Sequence, residues 1–61
     1  MKYKHNLMEI LSQIDVRTNY VKKVAEGGAQ ASTEDVVKML DEVLYLKEKA
    51  EKLVSLEATE G

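Results

Sequence analysis

The chain has 61 residues, with nine Lys and Arg against eleven Asp and Glu, and no Cys, Pro, Trp or Phe. Domains take roughly 100 to 200 residues each, so this length holds one small domain and excludes a multidomain enzyme. The net charge of -2 lacks the basicity of a dedicated nucleic-acid binder, and a chain without Cys has no disulfide framework, thiolate nucleophile or Cys-based metal centre.

Residues 1–6 interleave Lys and His with apolar side chains, which does not resemble a signal peptide. The longest apolar run is four residues, Val43 to Leu46, against the roughly 20 that cross a bilayer. These features predict a soluble, cytoplasmic protein with no membrane contact. A composition that is 33 % charged and 44 % hydrophobic without Pro favours helix and is too apolar for disorder.

In chain order, the spacing predicts helix 1 over about residues 4–26. Leu7, Leu11, Ile14, Thr18, Val21 and Ala25 recur at intervals of three and four, with Ile10 and Val24 beside them. That is one apolar stripe at the helical period. Lys22 and Lys23 occupy the last turn, where cations suit the negative end of the helix dipole. Gly27 and Gly28 then break the helix, Gly27 as its natural stop, and a loop is expected over about 27–32. Ser32 with Asp35 forms a capping-box pattern that starts helix 2 over about 33–57. Its stripe is Val36, Met39 or Leu40, Val43, Leu46, Ala50, Leu53 and Val54, broadened by Val37 and Leu44. A frayed acidic tail is expected over 58–61.

The short connection makes the pair an antiparallel hairpin, an all-α fold. Folding back near residue 29 sets Leu7 near Ala50, Ile14 near Val43 or Leu44, and Val21 near Val36. A single two-helix seam leaves half of each stripe wet and returns too little to order the chain. Self-association into a four-helix bundle or a larger helical oligomer is therefore expected. The association core is Leu7, Ile10, Leu11, Ile14, Val21, Val36, Leu40, Val43, Leu46, Ala50 and Leu53. A homodimer is the first expectation, a larger homo-oligomer the second, and a hairpin completed by another helical protein the third.

Polar residues interrupt the stripe at mid-length. Arg17 and Thr18 of helix 1, with Glu42 facing them, read as a polar layer that sets register and oligomer state. A pocket holding a small anion at Arg17 is a lesser reading. Val16 and Tyr20, placed opposite the stripe, and Tyr45 on helix 2 are candidates for a partner surface, an aromatic beside a branched residue being a usual binding anchor. His5 and Glu9 share a helix face, but two ligands fall short of the roughly four of a stable metal site. No metal or other cofactor is expected.

Charge is unevenly divided. Residues 1–25 carry five basic and two acidic groups, a net of +3, whereas residues 26–61 carry four basic and nine acidic, a net of -5. This reads first as complementarity between antiparallel neighbours, with Glu34 to Lys38, Lys47 to Glu51 and Glu48 to Lys52 at helix-pair spacing. Lys22 and Lys23, with Asn19, Lys2, Lys4 and His5, form a weaker candidate strip for RNA, poor in Arg and aromatics. No nucleophile, base and orienting acid gather in one cleft, and no Gly-rich loop joins a strand to a helix, so no enzymatic activity is expected.

In length and two-helix arrangement the chain resembles the plasmid copy-number Rop proteins, whose dimeric four-helix bundle grips paired RNA loops with its N-terminal helices. That resemblance implies an RNA-binding regulator using Lys22 and Lys23, although the corresponding face here is only modestly basic and has no matching signature. In size it is also similar to the sporulation aspartyl-phosphate phosphatase hairpins, whose second helix carries Ser-Gln-Glu-Leu-Asp. Leu40-Asp41-Glu42-Val43-Leu44 keeps the central Glu but ends in Leu, so that activity is not implied. The leading expectation is a non-enzymatic, self-associating regulator or structural adaptor. Its size suits the compact genes of phages, plasmids and bacterial accessory elements. Ile14→Asp is expected to abolish association and most helicity together, read by sedimentation and circular dichroism on one dilution series.

Overall fold

The computed structural model describes residues 1–60. Lys4–Ala25 forms α1 and Thr33–Glu60 forms α2, and α2 folds back along α1, so that Tyr3 meets Glu57 at one end and Arg17 meets Glu42 midway. The molecule measures 44 × 16 × 12 Å. It is one helix long, two helices wide and one helix thick, because 28 residues at about 1.5 Å each span roughly 42 Å.

The turn is built from local hydrogen bonds. Glu26 caps α1, and Gly27 follows in the left-handed region with φ +83°. The Gly27 N–H donates to the Val24 carbonyl at 3.1 Å and the Gly28 N–H to the Lys23 carbonyl at 2.8 Å. These two bonds are a Schellman stop, which satisfies carbonyls that α1 alone leaves open. At the start of α2 the Asp35 N–H donates to Ser32 Oγ at 3.1 Å, forming the hydroxyl half of the expected capping box. Glu34 and Asp35 lie in that first turn, at the positive end of the dipole.

At the open end the Tyr3 N–H donates to Glu57 Oε1 at 2.6 Å. A carboxylate of α2 thus supplies the cap that α1 lacks from its own side chains. Here the structure departs from the expected boundary at residue 57. The helix continues through Ala58, Thr59 and Glu60, since nothing in that stretch breaks it and Thr59 Oγ1 donates to the Ser55 carbonyl at 3.0 Å. Gly61, the last residue of the expected tail, lies outside the described residues.

The seam between the helices runs through Tyr3, Leu7, Ile10, Ile14, Arg17, Val21 and Val24 on α1. Opposite them on α2 are Val36, Met39, Val43, Leu46, Ala50, Leu53 and Glu57, all at alternating intervals of three and four. Among the described residues only Leu46 and Ala50 are buried. A structure one helix thick leaves every other side chain within reach of water. Leu11 and Leu40 of the expected association core, and Thr18 of the expected polar layer, stand outside the seam within one hairpin, while Ile10, Met39, Val24 and Arg17 line it. Neighbouring positions differ by about 100° around a helix, so a wide apolar stripe fits more than one centre line, and contact with one partner selects the narrower of them.

Only Gly27 among the two loop glycines needs its lack of a side chain. A Cβ there meets nothing within 4 Å, yet φ is +83°, whereas a Cβ on Gly28 lies 3.6 Å from the Lys23 carbonyl oxygen, an ordinary contact, at an unstrained φ. Gly27→Ala is expected to lower stability by about 1 kcal/mol through backbone strain. Gly28→Ala should leave urea unfolding midpoints unchanged or slightly raised.

Candidate interaction surfaces

With the seam residues written as heptad positions a and d, Leu7, Ile14 and Val21 are a and Ile10, Arg17 and Val24 are d on α1. On α2, Val36, Val43 and Ala50 are a, and Met39, Leu46 and Leu53 are d. The hairpin then has two flanks of different chemistry. On one, the g positions of both helices meet. A groove of about 400 Å³ near the open end has Ile10, Leu46, Leu53 and Leu56 as its floor and Asn6, Glu9, Gln13, Lys49 and Lys52 at its rim. Further along the same flank, a recess of about 290 Å³ is lined by Val16, Arg17, Tyr20, Met39 and Glu42.

This recess holds the expected polar layer in part. Arg17 Nε donates to Glu42 Oε1 at 2.9 Å, and Arg17 Nη1 donates to the Gln13 carbonyl at 3.1 Å. The basic helix and the acidic helix are thus joined by a charge-assisted bond at mid-length. Thr18 takes no part in it. Its hydroxyl donates to the carbonyls of its own helix, Ile14 at 3.0 Å and Asp15 at 3.1 Å, so that its methyl group is what the other flank presents. Tyr20, expected opposite the stripe, instead flanks the seam half-buried beside Met39. Its position, six residues after Ile14 and three after Arg17, is a g position in the narrower seam. Val16 and Tyr45 are exposed as expected, and the Tyr45 ring has Lys49 Nζ 5.5 Å from its centroid.

The opposite flank carries the e and b positions and is apolar. Met8 and Leu11 of α1, with Val37, Leu40, Leu44 and Val54 of α2, are 43 % to 60 % exposed. They include both residues of the expected association core that the hairpin seam leaves out. Charge on this flank is sparse towards the loop, where only Asp15 and Lys22 stand among the apolar groups. Nearer the open end Lys47 and Glu51 pair with each other at 3.9 Å.

Lys22 and Lys23 are exposed at the loop end of α1. Lys4 lies 18 residues before Lys22, roughly 27 Å along the helix. Glu9 and Asp15 intervene, and Glu34 and Asp35 start α2 at the lysines' own end. The basic residues therefore form two separate groups. Among the described residues no three His, Cys, Asp or Glu side chains gather as metal ligands, and no helix is long and apolar enough to cross a membrane. The chain matches no family model, no curated protein and no solved structure.

The side chains of the Arg17 and Glu42 pair retain 27 % and 45 % of their exposure, so screening by water limits what the pair contributes. A double-mutant cycle with Arg17→Gln and Glu42→Gln, followed by chemical denaturation, should return a coupling of about 0.5 kcal/mol that shrinks in high salt.

Proposed function

We propose that this chain is a non-enzymatic protein–protein interaction module that works as a homodimer, with two hairpins joined through their e and b flanks into a four-helix bundle. The single observation that carries this reading is surface in excess. A compact chain of 6.9 kDa exposes roughly 4000 Å², whereas this hairpin exposes 4853 Å². The difference, about 850 Å², is close to the ~800 Å² that each partner contributes to a standard protein interface.

The chemistry of the two flanks favours the e and b flank as the one covered. The g flank is rimmed with Asn6, Glu9, Gln13, Lys49 and Lys52 and is crossed by an ion pair, groups that water solvates well. The e and b flank presents six large apolar side chains, and an apolar patch of this extent on a small protein is characteristic of an interface. A bundle of four helices also gives each helix two neighbours, which suits stripes broader than one seam uses. In this assembly the groove and the Tyr20 recess stay outside, available to a further partner, as befits a small regulator or structural adaptor.

The two other readings have less support. An RNA duplex needs a continuous basic strip, and here the lysines of α1 are split between its ends. An anion at Arg17 must displace Glu42 from a 2.9 Å bond. Sedimentation equilibrium with circular dichroism on the same dilution series tests the proposal. The expected result is a helical dimer with Kd of about 1 µM or tighter, in the range that interfaces of this size reach. Leu40→Asp, outside the hairpin seam, should convert it to a poorly helical monomer. A stably helical monomer at ten times the cellular concentration, or a dimer indifferent to Leu40→Asp, would sink the idea.

A further inference from the structure

We infer that the two hairpins of the dimer lie with their loops pointing in opposite directions, α1 against α1 and α2 against α2, about a two-fold axis beside Thr18 and Leu40. Two ion pairs between Asp15 of one protomer and Lys22 of the other lock that register. This inference rests on the dimer proposed above and deepens it. An isologous interface must be complementary to itself, which makes the order of residues along the flank a test of each way of pairing.

On α1 the flank reads Leu11, Asp15, Thr18, Lys22, Ala25. Turned about Thr18, an antiparallel copy sets Leu11 against Ala25, Asp15 against Lys22 and Thr18 against itself. Large meets small, acid meets base, and the central Thr18 offers a methyl because its hydroxyl is already bonded within its own helix. On α2, turning about Leu40 sets Val37 against Leu44 and Leu40 against itself, all apolar. Both helices must share one axis for this to be possible, and they do. Arg17 bonds Glu42 across the hairpin, which brings Thr18 and Leu40 to nearly the same level. The Lys47 and Glu51 pair, already satisfied within α2 at 3.9 Å, falls at or beyond the edge of the overlap, as do Met8 and Val54, so that Leu11, Val37, Leu40 and Leu44 make the apolar contact.

The other two-fold arrangement, with both loops at one end, places α1 of one protomer over α2 of the other at equal level. Asp15 then faces Leu44 and Lys22 faces Val37, so that each of these charges is set against an apolar group and loses water without gaining a partner, while Leu11 and Met8 come over Lys47 and Glu51, which stay paired with each other. The antiparallel order is the one in which the charges answer each other.

The test is charge reversal read by sedimentation equilibrium at low salt, where such pairs are least screened. Asp15→Lys and Lys22→Asp should each weaken the wild-type dimer by about tenfold or more, since each turns two attractions into two repulsions. The double variant Asp15→Lys/Lys22→Asp should recover the wild-type Kd to within about threefold. Because the chain has no native Cys, Thr18→Cys gives an independent readout. In a glutathione buffer it should link to itself with helicity retained. If the double variant is as weak as the product of the singles, or if Thr18→Cys links only to Leu40→Cys in a mixture, the loops lie together and the antiparallel register is wrong while the dimer stands. A wild-type chain that sediments as a monomer overturns both.

Discussion

Everything in this molecule depends on the mismatch between two broad apolar stripes and a seam that covers only part of each. A pair of helices forms one layer, 12 Å through, and a layer of that thickness has no interior beyond the line where the helices touch. Leu46 and the small Ala50 sit on that line and are buried, and among the described residues they are the only ones. The apolar groups on the e and b flank are therefore not surplus. They are 43 % to 60 % exposed, and an apolar face left wet gives up burial that could offset the entropy of ordering the chain.

The hairpin is held in shape chiefly at its ends and its middle, where polar groups take over from apolar contact. Two carbonyls of α1 are closed by Gly27 and Gly28, one amide of α2 by Ser32, and one amide at the start of α1 by Glu57 from the far end of the chain. The Arg17 and Glu42 bond stands between them. Each of these is directional where the apolar seam is not, so together they set register and crossing while burial supplies the driving force. The +3 and -5 division of charge between the two parts of the chain appears across the hairpin seam as the Arg17 and Glu42 bond.

Legibility in the sequence varied with how local each feature is. The turn was readable because Gly27-Gly28 and Ser32-Thr33-Glu34-Asp35 act within a few residues of themselves. Leu7, Ile14 and Val21, with Val36, Val43, Leu46, Ala50 and Leu53, were readable as the inner face because every centre line through the stripes includes them. The choice between Ile10 and Leu11, or between Met39 and Leu40, was not readable. Both members of each pair flank the same line, and only the position of the opposing helix decides which turns inward. Tyr20 was misplaced for the same reason, and Glu57 was missed because a cap contributed from 54 residues away leaves no trace in a local pattern.

The sequence by itself determined that this protein is two amphipathic helices joined by a glycine turn, because helix period, glycine conformation and capping are properties of neighbouring residues. It also determined that there is more apolar face than one hairpin uses. Only the tertiary structure decided how that face is divided. Packing α1 on α2 consumed the a and d positions, gathered the polar g residues on one flank, and left Leu11, Leu40 and Leu44 together on the other. That division is a matter of rotation about each helix axis, and a helix settles its rotation only against something it touches.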